Sequence, residues 1–111
     1  MKIVSKVLDS TYGRAAVGVS ALLTRADGIR WEPLTQAQSG PHGCIEEWKE
    51  MDLGNGSYRI IFNCDVYFSS LGELAAYPEV SITFCSRGEL DTLWIWLALS
   101  PYSYTVNFAT C

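Results

Sequence analysis

The sequence has few of the residues and patterns on which most catalytic sites depend. It contains a single histidine, His42, which excludes any mechanism that needs two. The four cysteines form no Cys-x-x-Cys pair and give no zinc or redox signature. No P-loop, glycine-rich dinucleotide fingerprint or Gly-x-Ser-x-Gly motif is present. We therefore expect neither a cofactor nor a metal ion.

Basic residues are also scarce, with 8 Lys and Arg against 12 Asp and Glu, a net charge of −4. Because no basic run occurs, we expect no nucleic acid or anionic lipid as partner. No apolar run approaches the ~20 residues that span a bilayer, and residues 1–6 lack the apolar stretch of a secretory leader. We expect a cytoplasmic protein with free thiols and no membrane partner, in which Cys64 and Cys85 are small core residues.

Apolar residues, by contrast, make up 49% of the chain and fall in short runs between turn signals. Their alternation predicts strands at 4–8, 16–23, 29–34, 57–63, 79–85, 91–99 and 102–110, with a short strand near Cys44. Pro33 is expected to stop the third strand. A short helix is expected within 66–74, and the charged residues 46–52 are expected to form a solvated loop. The pattern predicts an all-β, two-sheet β-sandwich of seven to eight strands in a single domain, 1–111.

Three blocks of the sequence carry a family resemblance across nearly the whole chain. They are Lys6-Val7-Leu8-Asp9 with Gly13-Arg14-Ala15-Ala16, Trp31-Glu32-Pro33-Leu34, and Leu99-Ser100-Pro101-Tyr102-Ser103-Tyr104. In this order they resemble the transthyretin and 5-hydroxyisourate hydrolase family. The resemblance implies a transthyretin-like sandwich whose edge strands pair into dimers, two of which form a homotetramer around a central channel. The hairpin of residues 94–110 agrees, since it is too apolar for the free surface of a monomer.

The resemblance also implies that the catalytic groups of the hydrolase branch are missing. That branch uses a histidine in the first strand, an arginine after the loop, a histidine in the penultimate strand and a C-terminal Tyr-Arg-Gly-Ser. These positions fall on Lys6, Cys44, Trp94 and Asn107-Phe108-Ala109-Thr110. Only a hydroxyl, that of Thr110, is kept. Because acid–base catalysis needs a group that titrates near neutral pH, hydrolysis of hydroxyisourate is not expected.

By the same resemblance, two tryptophans lie on the face that lines the channel. Trp94 and Trp96 stand where the carrier transthyretin has Thr and Ala, beside Leu8, Ala98, Thr105 and Asn107. The channel should therefore be narrow and aromatic, and thyroid hormone is not expected to fit as it does in the carrier. The indoles either offer π faces to a ligand, with Lys6 as a cation–π partner, or pack against their symmetry mates and plug the channel.

Lys6 and Cys44 each have a chemical and a structural interpretation. Lys6 is either an anion anchor or catalytic amine, or a partly exposed lysine at the channel mouth. Cys44 is either a nucleophile activated by His42 on the same strand face, or a buried thiol beside a turn histidine. Asp9, Ser100 and Tyr104 are expected to be structural.

These observations predict a protein that acts on an apolar or aromatic small molecule in the inter-subunit channel, as a cofactor-free cyclase, isomerase or lyase. Its catalytic groups would be Lys6, Asn107 and Thr110, placed against a carbonyl or hydroxyl. Its substrate-binding residues would be Leu8, Cys44, His42, Trp94, Trp96, Ala98 and Thr105. The alternatives are a non-catalytic small-molecule binding protein of the transthyretin type and a purely structural tetramer with a plugged channel.

Overall fold

The structure, a computed structural model, describes residues 1–110 as two four-stranded sheets that enclose one core. The eight strands are β1 (Lys2–Asp9), β2 (Arg14–Ala15), β3 (Ser20–Asp27), β4 (Arg30–Gln38), β5 (Gly56–Asn63), β6 (Glu79–Ser86), β7 (Thr92–Ser100) and β8 (Ser103–Thr110). The first sheet has the order β2-β1-β7-β8 and the second the order β4-β3-β5-β6. One α-helix, α1 (Cys64–Ser70), follows β5. The predicted all-β sandwich with one short helix is confirmed.

Alternation along the strands sends every second side chain into the shared core. Ile3 and Ile95 of the first sheet are fully buried, as are Ile60 and Phe62 of the second. In β1 and β7 the odd-numbered residues from 3 to 9 and from 93 to 99 are buried. Their even-numbered residues therefore form the opposite surface of the first sheet, which we call the outer face.

Several boundaries differ from the sequence prediction. Residues 16–19 form a connection rather than a strand, and β3 begins only at Ser20. β4 continues past Pro33, because it is an edge strand and a register shift between Leu23 and Thr24 accommodates the proline. The strand expected near Cys44 is a single bridge to Lys6. The loop expected at 46–52 includes a 3₁₀ turn, Glu46–Trp48, whose tryptophan is buried.

The helix begins earlier than the apolar spacing indicates because Asn63 caps it. The Asn63 side chain accepts a hydrogen bond from the backbone N–H of Val66 at 3.3 Å. Cys64, the first helical residue, is buried as predicted, whereas Cys85 alternates to the exposed side of β6. The prediction that Cys85 is a core residue is therefore wrong. No helix within residues 1–110 is long and apolar enough to cross a membrane.

A buried carboxylate ties the β1–β2 turn to the helix. Asp9 accepts hydrogen bonds from the Tyr67 hydroxyl at 2.6 Å and from the backbone N–H groups of Thr11 at 3.0 Å and Tyr12 at 3.2 Å. Both carboxylate oxygens thus have donors, which a charged group buried to 1% exposure requires. Burial and the hydrogen bond to Asp9 raise the pKa of Tyr67. This network positions the turn that leads into β2.

Candidate functional site

The strand register assembles a continuous row of side chains across the outer face. Lys6 pairs with Trp96 of β7, and Trp96 pairs with Asn107 of β8. Cys44 pairs with Lys6 from the other side, through the isolated bridge. Because directly paired residues project to the same face, Cys44, Lys6, Trp96 and Asn107 form one row, which we call the central row.

A second row lies beside the central row on the same face. Leu8 pairs with Ala98, and Ala98 pairs with Thr105. On the opposite side, Trp94 pairs with Val4 and with Ala109. The outer face therefore brings together most of the residues proposed from the sequence, namely Lys6, Leu8, Cys44, Trp94, Trp96, Ala98, Thr105 and Asn107.

Two proposed residues do not lie on this face. Thr110 pairs with Leu93, a core-facing residue, so its side chain projects to the opposite side of β8 from Asn107. His42 lies in a turn rather than on a strand, and Gly43, with a φ of +83°, separates it from Cys44. The prediction that Thr110 lies beside Asn107 in the site is therefore wrong. The prediction that His42 and Cys44 share one strand face is wrong as well.

A close backbone approach brings the loop that carries Cys44 against β1. The Val7 N–H donates to the Gly43 carbonyl at 2.8 Å, and the Ile45 N–H donates to the Ser5 carbonyl at 3.0 Å. A Cβ atom at Gly43 would lie 2.4 Å from the Val7 carbonyl oxygen, so only glycine fits there. This approach places the half-buried Cys44 thiol beside Lys6.

The middle of the outer face is formed by two tryptophans, Trp94 and Trp96, an aromatic floor on which the Lys6 ammonium lies over the Trp96 ring. The Lys6 Nζ lies 5.6 Å from the centroid of the Trp96 ring, a cation–π contact, and Trp96 is 40% exposed. Trp94 is half-buried, and its buried indole N–H has no hydrogen-bond partner among residues 1–110. The face therefore offers the flat π surface of Trp96 with the Lys6 ammonium beside it, whereas the Trp94 indole N–H is enclosed by the protein.

A cleft of about 490 Å³ opens at the end of this face nearest the β1–β2 turn. Lys6, Arg14 and His42 line it together with the apolar side chains of Leu8 and Ala98. Asp9 also lines the cleft, but its carboxylate oxygens are already hydrogen-bonded within the protein. The charge around the cleft therefore favours an anionic group.

Sequence reasoning missed Arg14, the first residue of β2. Its guanidinium carbon lies 4.8 Å from the centroid of the Tyr12 ring. The Tyr12 hydroxyl donates to the Glu73 carboxylate, and this hydrogen bond raises the pKa of Tyr12. The only signal in the sequence was the block Gly13-Arg14-Ala15-Ala16, which supported the family resemblance without pointing to chemistry.

Another cleft, of about 380 Å³, lies on the outer side of the second sheet. Leu22, Gln36 and Ile61 line it, and its charged residues are the acids Asp65 and Glu79. It includes none of the residues proposed from the sequence. Its acidic character distinguishes it from the cleft beside Lys6.

Comparisons with known proteins agree with this fold. A profile of the HIUase/Transthyretin family matches residues 3–107. The 5-hydroxyisourate hydrolase of Mus musculus is 27% identical over 106 residues, which cover 93% of this chain and 90% of that protein. Sea bream transthyretin, solved in complex with thyroxine, superimposes with a TM-score of 0.91 at 22% identity, covering 100% of this chain and 97% of that one. Klebsiella pneumoniae 5-hydroxyisourate hydrolase superimposes with a TM-score of 0.84 at 20% identity, covering 97% and 92%. The chain belongs to the HIUase/transthyretin family.

Proposed function

We propose that this protein binds an apolar or aromatic cyclic molecule on the outer face and acts on it as a cofactor-free cyclase, isomerase or lyase. The central row carries the proposal. The exposed Trp96 indole is flanked by the Lys6 ammonium on one side and the Asn107 amide on the other. A flat ring can stack on the indole while these two donors reach a carbonyl or hydroxyl on the ring.

The chemistry available to this row is binding of one substrate conformer and stabilisation of developing negative charge. Lys6 and Asn107 can both donate hydrogen bonds to an oxygen that becomes an enolate or alkoxide. Lys6 and Trp94 occupy the positions that the family resemblance assigns to the hydrolase histidines, so neither position supplies an imidazole. Thr110 takes no part, because it projects from the other side of β8.

We place this face in the channel between subunits of a homotetramer, a dimer of dimers. β8 is an edge strand, and Tyr104 and Phe108 leave about half of their surface exposed on it. Unpaired edges with apolar side chains favour association with another chain, which supports the assembly.

We place the protein in the cytoplasm. Cys44, Cys64 and Cys85 are free thiols. Thiols that stay unpaired are typical of proteins in a reducing compartment.

The test of the binding site uses 1-anilinonaphthalene-8-sulfonate, an aromatic probe, with tryptophan fluorescence as the readout. We expect saturable quenching that weakens in Trp96→Ala. The matched control is Trp31→Ala, which removes an indole from the other sheet, where Arg59 stacks on it at 4.1 Å. Equal loss of binding in both variants, or no binding by the wild type, would contradict the proposed site.

The test of the reaction class begins with the substrate of the curated relatives. We expect the purified protein not to accelerate the decay of 5-hydroxyisourate above the uncatalysed rate. An accelerated rate that disappears in Lys6→Ala would show that an ammonium replaces the imidazole, and the proposed change of chemistry would be wrong.

The same site also suits a non-catalytic binding protein, because cation–π stacking and an aromatic floor require no turnover. Mass spectrometry of small molecules that copurify with the protein separates the two functions. Conversion of the isolated molecule by a substoichiometric amount of protein supports the enzyme. Saturable binding without a product supports the carrier.

A further inference from the structure

We propose that His42 is the proton-transfer residue of this site, whose imidazole removes a proton from a ring carbon of the ligand in the cleft beside Lys6. The inference rests on the proposed function and adds the base that the central row lacks. Leu8 and Ala98 of the outer face line this cleft of about 490 Å³ together with Lys6 and His42. The chain's only histidine thus lies against the same space as the ammonium that the proposed function uses.

A short, hydrogen-bonded turn carries His42. The Gly43 N–H donates to the Gly40 carbonyl at 2.9 Å, which closes a four-residue turn with Pro41 and His42 at its centre. The Gly40 N–H donates to the Cys44 carbonyl at 2.8 Å. Proline in the second position and a left-handed glycine in the fourth, here with a φ of +83°, are typical of a type I turn that ends in a bulge. The sequence Gly-Pro-His-Gly is therefore suited to hold one backbone conformation.

Contacts on both sides of this turn fix it to the sandwich. Before the turn, Ser39 is buried, and its hydroxyl donates to the Ala16 carbonyl at 2.7 Å. At the end of the turn, the Gly43 carbonyl accepts from the Val7 N–H of β1 at 2.8 Å. The backbone of His42 is therefore in place before a ligand binds, which is what efficient proton transfer requires of a base.

The imidazole of His42 is available to exchange a proton with a ligand. His42 is exposed, and none of the three ion pairs within residues 1–110 includes it. The charged groups that line the same cleft are Lys6 and Asp9 of β1 and Arg14 of β2. Asp9 already accepts three hydrogen bonds within the protein. Because imidazole gains and loses a proton between about pH 5 and 8, it is the side chain in this cleft that is suited to act as a base at neutral pH.

The proton transfer needs no further reactant. In an elimination, a nitrogen of the imidazole takes the proton from a ring C–H bond, and the electron pair of that bond forms a new π bond. The bond to the leaving oxygen breaks with its electron pair on the oxygen, to which Lys6 donates a hydrogen bond. In an isomerisation, the imidazolium instead returns the proton to a different carbon of the ring.

The test uses 5-nitrobenzisoxazole, a flat two-ring compound that opens when a base removes the proton from the carbon beside its ring nitrogen. The C–H electron pair completes a nitrile, the N–O bond breaks, and the absorbance of the 2-cyano-4-nitrophenolate product gives the rate. We expect the wild type to accelerate this reaction above the rate in buffer, with a kcat that rises with pH as the imidazole loses its proton. His42→Gln should lower kcat by about a hundredfold or more and change KM little.

Control measurements separate a base from a structural residue. Imidazole added to His42→Gln should restore part of the rate, after correction for the rate in buffer, whereas it would not repair a folding defect. His42→Gln should still bind 1-anilinonaphthalene-8-sulfonate, and Trp31→Ala in the other sheet should keep both binding and rate. A rate unchanged in His42→Gln, or no acceleration by a wild type that binds the sulfonate probe, would overturn the inference and leave ring binding intact. If the wild type neither binds that probe nor accelerates the reaction, the proposed function fails together with the inference.

Discussion

Replacing Tyr67 by phenylalanine removes a single oxygen atom from the interior of the sandwich. The Tyr67 hydroxyl donates to Asp9 at 2.6 Å, and both residues are buried. A hydrogen bond to a charged group contributes about 1.5–3 kcal/mol, and its loss leaves one buried carboxylate oxygen without a donor. We therefore expect the free energy of unfolding to fall by about 2 kcal/mol.

Urea denaturation followed by tryptophan fluorescence measures this change, at one protein concentration because the stability of an oligomer depends on concentration. The matched control is Tyr102→Phe, since Tyr102 is 81% exposed and its change should stay within about 0.5 kcal/mol. A Tyr67→Phe variant with the urea midpoint and slope of the wild type would contradict this expectation. It would mean that the Asp9 network contributes nothing to holding the β1–β2 turn against α1.

Three further predictions concern pH, assembly and the site. Burial raises the pKa of the Cys64 thiol from 9.0 to about 12. The stability that the protonated thiol contributes is therefore complete below pH 9.0 and is lost as the pH rises through 12. When unfolding is measured from pH 8 upward, the free energy of unfolding should decline less steeply in Cys64→Ala than in the wild type. Light scattering should give a mass near four times 12.3 kDa, and a monomer at micromolar concentration would rule out the channel. Trp96→Ala should lower the affinity for 1-anilinonaphthalene-8-sulfonate by roughly tenfold without dissociating the tetramer, and Cys44→Ala should have less effect. If Trp96→Ala leaves this affinity unchanged and replacement of Cys44 or His42 abolishes binding, the site lies elsewhere in the protein.

The side-chain composition of the outer face follows from local pattern, and so could be predicted from the sequence. Period-two alternation places Trp94, Trp96 and Ala98 on one side of a strand, and the structure has them there. The same rule separates Asn107 from Thr110, because the two residues are three positions apart along β8, an odd number that sends their side chains to opposite faces. The family resemblance aligns Thr110 with the C-terminal serine of the hydrolase branch and takes no account of that alternation. The sequence prediction therefore grouped Thr110 with Asn107.

The parts that could not be predicted depend on contacts between segments far apart in sequence. The single bridge between Cys44 and Lys6 depends on how the loop packs against β1, and the positive φ of Gly43 breaks the alternation that would align His42 with Cys44. The cleft exists only where β1, β2 and this loop converge. Arg14 joins the lining of this cleft only because β2 pairs with β1, and its residue type alone does not indicate that pairing.

A crystal structure of the protein grown with 1-anilinonaphthalene-8-sulfonate would show directly whether the outer face is the ligand site. We expect the probe between subunits on the outer face of the first sheet, with its rings against Trp96 and its sulfonate toward Lys6. A probe seated instead on the second sheet, beside Leu22 and Ile61, would contradict it. So would Trp96 packed against its symmetry mate with no space for a ligand.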